Sequence, residues 1–162
     1  MSLAIVPGSF DPMTLGHLDI VTAAARRYDS VVVAVMINPA KKYRFSLEER
    51  VKIAEVTVKS LPNVRVISDR GLLIDLFDRL HADVVCRGWR DDTDYAYEMH
   101  MADWNRSHNP RFCTELIRCG NGHLDISSTR VRSLLEEGRE PVGLVHPDAL
   151  PLLLPGGERK EP

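Results

Sequence analysis

The chain has 162 residues, of which 44% are hydrophobic and 27% charged, and a formal net charge of −2. That length suits one domain with a real hydrophobic core, and the near-neutral balance excludes a protein whose whole surface grips nucleic acid. No apolar run approaches the roughly 20 residues that span a bilayer, and Met1-Ser2-Leu3 enters a strand pattern at once rather than a leader, so the expected location is the cytoplasm.

Strand and helix patterns alternate along the chain. Leu3-Ala4-Ile5-Val6 is a short apolar run stopped by Pro7-Gly8, which reads as a strand and a turn. Residues 16–28 place Leu18, Val21, Ala24, Ala25 and Tyr28 on one helical stripe. Residues 31–37, VVVAVMI, form a continuous β-branched run, as in a parallel strand covered on both faces. Ser46-Leu47-Glu48-Glu49 is a capping box. The helix behind it extends to about residue 60, with Leu47, Val51, Ala54 and Val58 facing inward. A strand at 64–67, a helix at 72–80 and a strand at 83–86 follow, the last ending at Arg87-Gly88. A helix spans about 92–106 and a strand 112–117. Ser127 or Ser128 caps another helix that stops at Gly138, and Pro147 opens a last short one. Residues 156–162 are polar and rich in glycine and charge, and are predicted to be a disordered tail behind a domain at 1–155.

Cys86 and Cys113 lie in apolar runs and read as buried small hydrophobes. With Cys119 they make an odd count without CxxC spacing, so no disulfide framework is expected. Cys119 and His123 lack further ligands at a metal-site spacing. The alternation predicts a single-domain, Rossmann-like α/β fold: a five-stranded parallel sheet with helices on both faces. Ligands of such sheets bind beyond the carboxyl ends of the strands. Most of the chain's unusual chemistry falls there.

The first of these loops reads PGSFDPMTLGH. It has neither the GxGxxG dinucleotide fingerprint nor the GxxxxGK[ST] of a P-loop. It still holds the parts of an anion site. Gly8 allows close backbone approach, Ser9 brings a hydroxyl, and Thr14, Gly16 and His17 fall at a helix start, where free N–H groups and the dipole attract phosphate. Lys41, Lys42 and Arg44 follow the second strand, and Arg87 and Arg90 follow the fourth. A planar guanidinium matches phosphate bidentately, although Asp91, Asp92 and Asp94 offer surface ion pairs as well. Ser127, Ser128 and Thr129 put three hydroxyls at one helix start; capping explains one, and a second phosphate site would use the others.

The loop resembles the HxGH signature of the nucleotidylyltransferase superfamily. TLGH behind PGSFDP resembles the phosphopantetheine adenylyltransferase family in particular. The likeness continues through NPAKK and FSLEER, through RGWRDDTDYAYEMHMADWNR, and through ISSTRVR, to about Leu154. Trp89, His123 and Asp125 depart from that family's usual residues, and the ending ISSTRVRSLLEEG is similar to the nicotinate and nicotinamide mononucleotide adenylyltransferases. Those enzymes are the alternative reading. A non-catalytic nucleotide-binding protein on the same fold is the other, and the joint presence of Ser9, Thr14, His17, Lys41, Arg87 and Arg90 speaks against it.

The resemblance implies transfer of an adenylyl group from ATP to 4′-phosphopantetheine, giving dephospho-coenzyme A and pyrophosphate. It implies that His17 and Lys41 donate to the α-phosphate and that Ser9 orients the attacking phosphate. Arg90, with Ser127 and Ser128, would hold the leaving pyrophosphate. Arg87 would face the acceptor phosphate, and Leu73 the pantetheine arm. ATP contacts would come from Ser9, Phe10, His17, Gly88, Trp89, Arg90 and Glu98, and from His123, Leu124, Asp125, Ile126, Ser127, Ser128 and Thr129. Mg²⁺ would accompany ATP, held mostly by phosphates and water. The family implies a homohexamer, and neither nucleic acid nor membrane is an expected partner.

Overall fold

A computed structural model describes residues 1–154. The expected disordered tail at 156–162 lies outside the described residues. In chain order the elements are β1 (Leu3–Gly8), α1 (Leu15–Arg27), β2 (Ser30–Met36), α2 (Leu47–Val58), β3 (Val64–Asp69) and α3 (Leu73–Arg79). They continue with β4 (Val84–Trp89), α4 (Asp92–His108), β5 (Thr114–Arg118), a 3₁₀ turn (Asn121–His123), α5 (Ser128–Glu136) and α6 (Leu150–Leu153). The five strands form one sheet in the order β3-β2-β1-β4-β5, with every pairing parallel. The expected fold is the one found.

Burial explains the layers. Val31 to Val35 of β2 are completely buried, as a strand covered on both faces requires. One face of the sheet packs Val6, Val33 and Cys86 under Ile20, Val21 and Ala24 of α1 and Ala54 and Val58 of α2. The other packs Ile5, Ala34 and Val85 under Leu76 and Phe77 of α3, with Phe112. Val131 and Leu135 of α5 and Leu153 of α6 close a third cluster on Phe45 and Ile53. Ser46 caps α2 and Glu49 returns the bond to the Ser46 N–H, the predicted capping box.

Two expectations need correction, on Pro147 and Cys113, while the expected stop at Gly138 is found. Pro147 does not open the last helix; that helix starts at Leu150, with Pro151 in its first turn. Cys113 is exposed rather than buried, because β5 begins one residue later, at Thr114. Gly138 lies beyond the helix end at Glu136, with φ +75°, a conformation that a glycine adopts without a Cβ penalty. Among the described residues no helix is long and apolar enough to cross a membrane.

The feature that positions the site is a parting of strands. β1 pairs with β2 from Leu3 to Gly8, yet it meets β4 only at Ala4–Val84 and Ile5–Val85. Beyond those pairs the two central strands separate, and a crevice opens at their carboxyl ends. Gly88, on the β4 side, has no room for a side chain: a Cβ there would sit 2.7 Å from Ile20 Cγ1 and 2.9 Å from its Cδ1. Gly88→Ala is therefore expected to destabilise the fold by about 1–3 kcal/mol through overpacking. Chemical denaturation of Gly88→Ala in wild-type and Ile20→Ala backgrounds checks this: the cost should shrink in the second background, and equal costs would show that Ile20 is not the clashing group.

Candidate active site

The crevice between β1 and β4 is the mouth of a cleft of about 660 Å³. Its lining gathers Ser9, Phe10, His17, Lys41, Leu73, Arg87, Gly88, Arg90, Glu98, Ile126, Ser127, Ser128 and Thr129, residues expected at the site from five separate stretches of sequence. The starts of α1 and α5 both border it, through Gly16 and His17 and through Ser128 and Thr129. Two sets of helix N-terminal N–H groups thus converge on one space, the arrangement that polyanions favour.

The β1–α1 loop is held in a strained form. Phe10 takes φ +47°, outside the usual range for a residue with a side chain. Its ring covers Gly8 so closely that a Cβ there would come within 2.9 Å, and it meets the His17 ring edge-on at 5.0 Å. Asp11 is buried, and its carboxylate accepts the Arg44 and Phe45 N–H groups at 2.9 and 3.0 Å. This clasp ties the β1 loop to the β2 loop.

His17 completes an unusual capping box. The Thr14 hydroxyl accepts the His17 N–H, and the His17 ring, standing where a Glu is common, accepts the Thr14 N–H through Nδ1 at 3.0 Å. Because Nδ1 is an acceptor, the neutral ring carries its proton on Nε2. Loss of hydration inside the protein lowers the His17 pKa to about 4, with the charges of Arg87 and Arg90 adding to the effect. The imidazole is thus a neutral donor whose orientation the helix start fixes.

The cleft's cations are held by its anions. Arg87 donates from Nε and Nη2 to the two Glu98 oxygens, each at 3.0 Å, and from Nη1 to the Pro7 carbonyl at 2.9 Å. Glu98, expected against the nucleotide, is buried with both oxygens in this pair. Arg90 donates from Nε to Asp94 at 2.9 Å and from Nη1 to the Ile126 carbonyl at 3.3 Å. The hydrogen bond and charge of Asp94 raise the Arg90 pKa despite burial, and the same contact lowers that of Asp94. Lys41, Lys42 and Arg132 also line the cleft.

The three hydroxyls at the α5 start are not equivalent. Ser127 caps the helix by accepting the Arg130 N–H, and Thr129 accepts from Arg132, so both keep an O–H to donate. Ser128 donates its O–H to the Pro12 carbonyl at 2.7 Å, so only its lone pairs remain.

Four expected residues do not reach the cleft lining. The Trp89 ring packs edge-on against Tyr95, with the Arg118 guanidinium above it. Trp89 shares the α4-side face of β4 with Arg87, and its contact with Tyr95 of α4 accounts for its place outside the lining. His123 Nδ1 is 2.6 Å from Asp19 Oδ2, which also accepts the Gly120 N–H. Leu124 packs against the core, and Asp125 pairs with Arg130. Among the described residues, no three His, Cys, Asp or Glu side chains group as a metal site. The sequence reading missed Asn38, Tyr43, Asp94 and Arg132 in the lining, and Asp11 as the clasp. The SSTRVR segment carried a signal for Arg132, three residues after Thr129 on one helix face.

The sequence profile of the cytidylyltransferase-like family matches residues 5–134. The phosphopantetheine adenylyltransferase of Clostridium kluyveri is 41% identical over 145 residues, covering 90% of this chain and 88% of its own. That of Symbiobacterium thermophilum is 44% identical over 149 residues, covering 91% of each. A crystal structure from Vibrio parahaemolyticus, of a protein assigned as a nicotinate-nucleotide adenylyltransferase, superposes with a TM-score of 0.75 at 20% identity. It covers 94% of this chain and 92% of its own, a likeness of fold.

The His17 environment fixes a pH dependence. The folded chain binds the proton more weakly than the unfolded chain, so between the ordinary value near 6.5 and about 4 the unfolded state takes up a proton that the folded state refuses. The contribution of His17 to stability is whole above pH 6.5 and is lost as pH falls toward 4. NMR of the His17 ring should show the Nε2–H tautomer and no titration between pH 8 and about 5.5. A midpoint near 6.5 would contradict the neutral assignment.

Proposed function

Because this chain belongs to the cytidylyltransferase-like family and, within it, to the phosphopantetheine adenylyltransferases, we propose that the cleft between β1 and β4 is the site at which an adenylyl group passes from ATP to 4′-phosphopantetheine. The reaction yields dephospho-coenzyme A and pyrophosphate, a step of coenzyme A synthesis. The observation that carries the site assignment is the neutral, oriented His17 at one of two helix starts that converge on the same cleft.

The acceptor phosphate is already an anion, so the step needs no strong general base. One oxygen of that phosphate forms a bond to the α-phosphorus of ATP, and the bond from that phosphorus to the leaving pyrophosphate breaks. His17 donates Nε2–H to a non-bridging α-phosphate oxygen as charge builds there, and Lys41 adds its ammonium. Ser9 orients the attacking phosphate. Arg90 commits fewer side-chain N–H groups internally than Arg87 does, which suits it to the pyrophosphate together with the free O–H groups of Ser127 and Thr129.

A small cavity of about 170 Å³ continues from Arg87 and Leu73 between α4 and the sheet, lined also by Tyr97, Met101, Asn105 and Phe112. The apolar part of its wall, Leu73, Val85, Met101 and Phe112, suits the pantetheine arm. A pyridine ring would want a stacking partner, and Trp89 is not among the residues that line the cleft. Mg²⁺ would accompany ATP and would be held mostly by phosphate oxygens and water, since the carboxylates of Asp11, Asp94 and Glu98 are engaged by partners of their own. The protein self-associates in this reading, and the exposed Tyr97 and Trp104, seven residues apart on one side of α4, offer apolar surface for it.

Initial rates with 4′-phosphopantetheine and with nicotinate and nicotinamide mononucleotides test the assignment. The expected order of kcat/KM places phosphopantetheine first by orders of magnitude; a pyridine nucleotide ahead of it would overturn the substrate. His17→Ala should lower kcat by roughly 10²–10³-fold while the KM for ATP moves little. A folded His17→Ala enzyme with wild-type kcat would remove His17 from the mechanism. Arg87→Ala should chiefly raise the KM for the acceptor and Arg90→Ala the KM for ATP, by about ten-fold each, and loss of the same substrate in both would refute the division of labour.

A further inference from the structure

Tyr43 stands in the loop between β2 and α2, two residues past Lys41, and lines the cleft. Its hydroxyl accepts the Asn38 N–H at 2.7 Å. Asn38 in turn closes the tip of the loop: its carbonyl accepts the Lys41 N–H at 3.0 Å, and its side-chain Oδ1 accepts the Ala40 N–H at 2.9 Å. The Tyr43 ring lies on the guanidinium of Arg50, with Arg50 Cζ 3.9 Å from the ring centroid. Arg50 is buried in α2 and donates to the Ser9 carbonyl at 2.8 Å and the Met36 carbonyl at 3.2 Å. Tyr43 is thus the side chain that joins the turn carrying Lys41 to the guanidinium under Ser9.

We propose that Tyr43 is a positioning residue: its hydroxyl clasps the Asn38–Lys41 turn onto the Arg50–Ser9 floor and so sets Lys41 and Ser9 at a fixed separation across the cleft. Two reacting phosphates must be brought together at one phosphorus, and rates of such steps fall steeply when a donor is misplaced by about 1 Å. Lys41 and Lys42 are exposed, and the side chain of Lys41 makes no contact that holds its backbone in place among the described residues. The turn therefore needs an anchor, and the phenol supplies it. The electrostatics agree. Burial pushes the Tyr43 hydroxyl up, but the Asn38 N–H, the Ser9 side chain and the charges of Arg50 and Lys41 together bring it below its ordinary pKa.

The test is Tyr43→Phe, which keeps the ring on Arg50 and removes the hydroxyl alone. Its kinetic arm rests on the adenylyl-transfer reading above; its exchange arm does not. With 4′-phosphopantetheine and ATP, kcat should fall about ten-fold while the KM for ATP stays within about three-fold. Amide exchange of Asn38 and Lys41, followed by NMR in the full chain, should speed up about ten-fold, with exchange in β2 unchanged. Tyr43→Ala should lose the same kcat and also lower Tm, because the guanidinium loses its ring. Wild-type kcat in Tyr43→Phe, or unchanged exchange at Asn38, would overturn the proposal. A kcat loss matched by a fall in Tm for Tyr43→Phe would also overturn it, by showing a merely structural role. If the wild-type chain fails to turn over phosphopantetheine, the functional reading fails, and the exchange arm still decides the role of Tyr43.

Discussion

The structure depends on the early parting of β1 and β4. A parallel ladder normally continues at even spacing, yet here it stops after Ile5–Val85, and the two strands feed helices on opposite faces of the sheet. The backbone groups beyond that point need new partners. Pro7 has no N–H to leave unpaired, and Arg87 takes its carbonyl from across the gap. Gly8 and Gly88 leave room on the α1 side of the sheet, the first under the Phe10 ring and the second against Ile20 of α1. The cleft is therefore a consequence of topology, and its walls are the groups that repair the broken ladder.

The charges follow the same logic. A cleft for two phosphorylated molecules needs a cationic field, but free arginines beside one another would repel and wander. Glu98 and Asp94 each fix one guanidinium, and each carboxylate is itself anchored on α4. A planar fork held on one edge presents its other edge in a set direction. The cost is some positive charge, and the lysines, Arg132 and two helix starts restore it. Loss of hydration, with that field adding to it, disfavours a protonated imidazole at His17.

Much of this was legible in the sequence, for local reasons. The VVVAV run, the Ser46 capping box and the TLGH helix start each depend on neighbours a few residues away, and each is found. The segments after strands β1, β2 and β4 line the cleft because the topology rule is general. What was not legible depends on distant partners. Asp11 reads as a turn residue until Arg44 and Phe45, more than thirty residues on, are seen to donate to it. Trp89 reads as a nucleotide contact until Tyr95 and Arg118 are seen to pack on its ring. His123 and Asp125 were placed at the ligand by motif position, and Asp19 and Arg130 hold them elsewhere. Arg50 sits in a helix pattern as an ordinary charged residue, and nothing in the spacing of FSLEER shows that it is buried.

Arg50 also shows what the fold favours where stability and geometry compete. It is 2% exposed, its Nε has no hydrogen-bond partner, and loss of hydration lowers its pKa. A buried guanidinium with an unmet donor destabilises a fold by a few kcal/mol, and an apolar side chain of similar size would pack there without that penalty. Yet the same guanidinium binds the Ser9 and Met36 carbonyls, which are the ends of β1 and β2 at the cleft. Together with the Asp11 clasp and the Arg132 bond to the Asp11 carbonyl, it fixes the loops that carry Ser9 and Lys41 before any ligand arrives. A reaction that needs no general base gains its rate mainly from position and fixed dipoles. Loops ordered in advance spare the ligands the entropy of ordering them. The unmet Nε marks a place where the fold gives up stability to hold two backbone carbonyls in register with the chemistry above them.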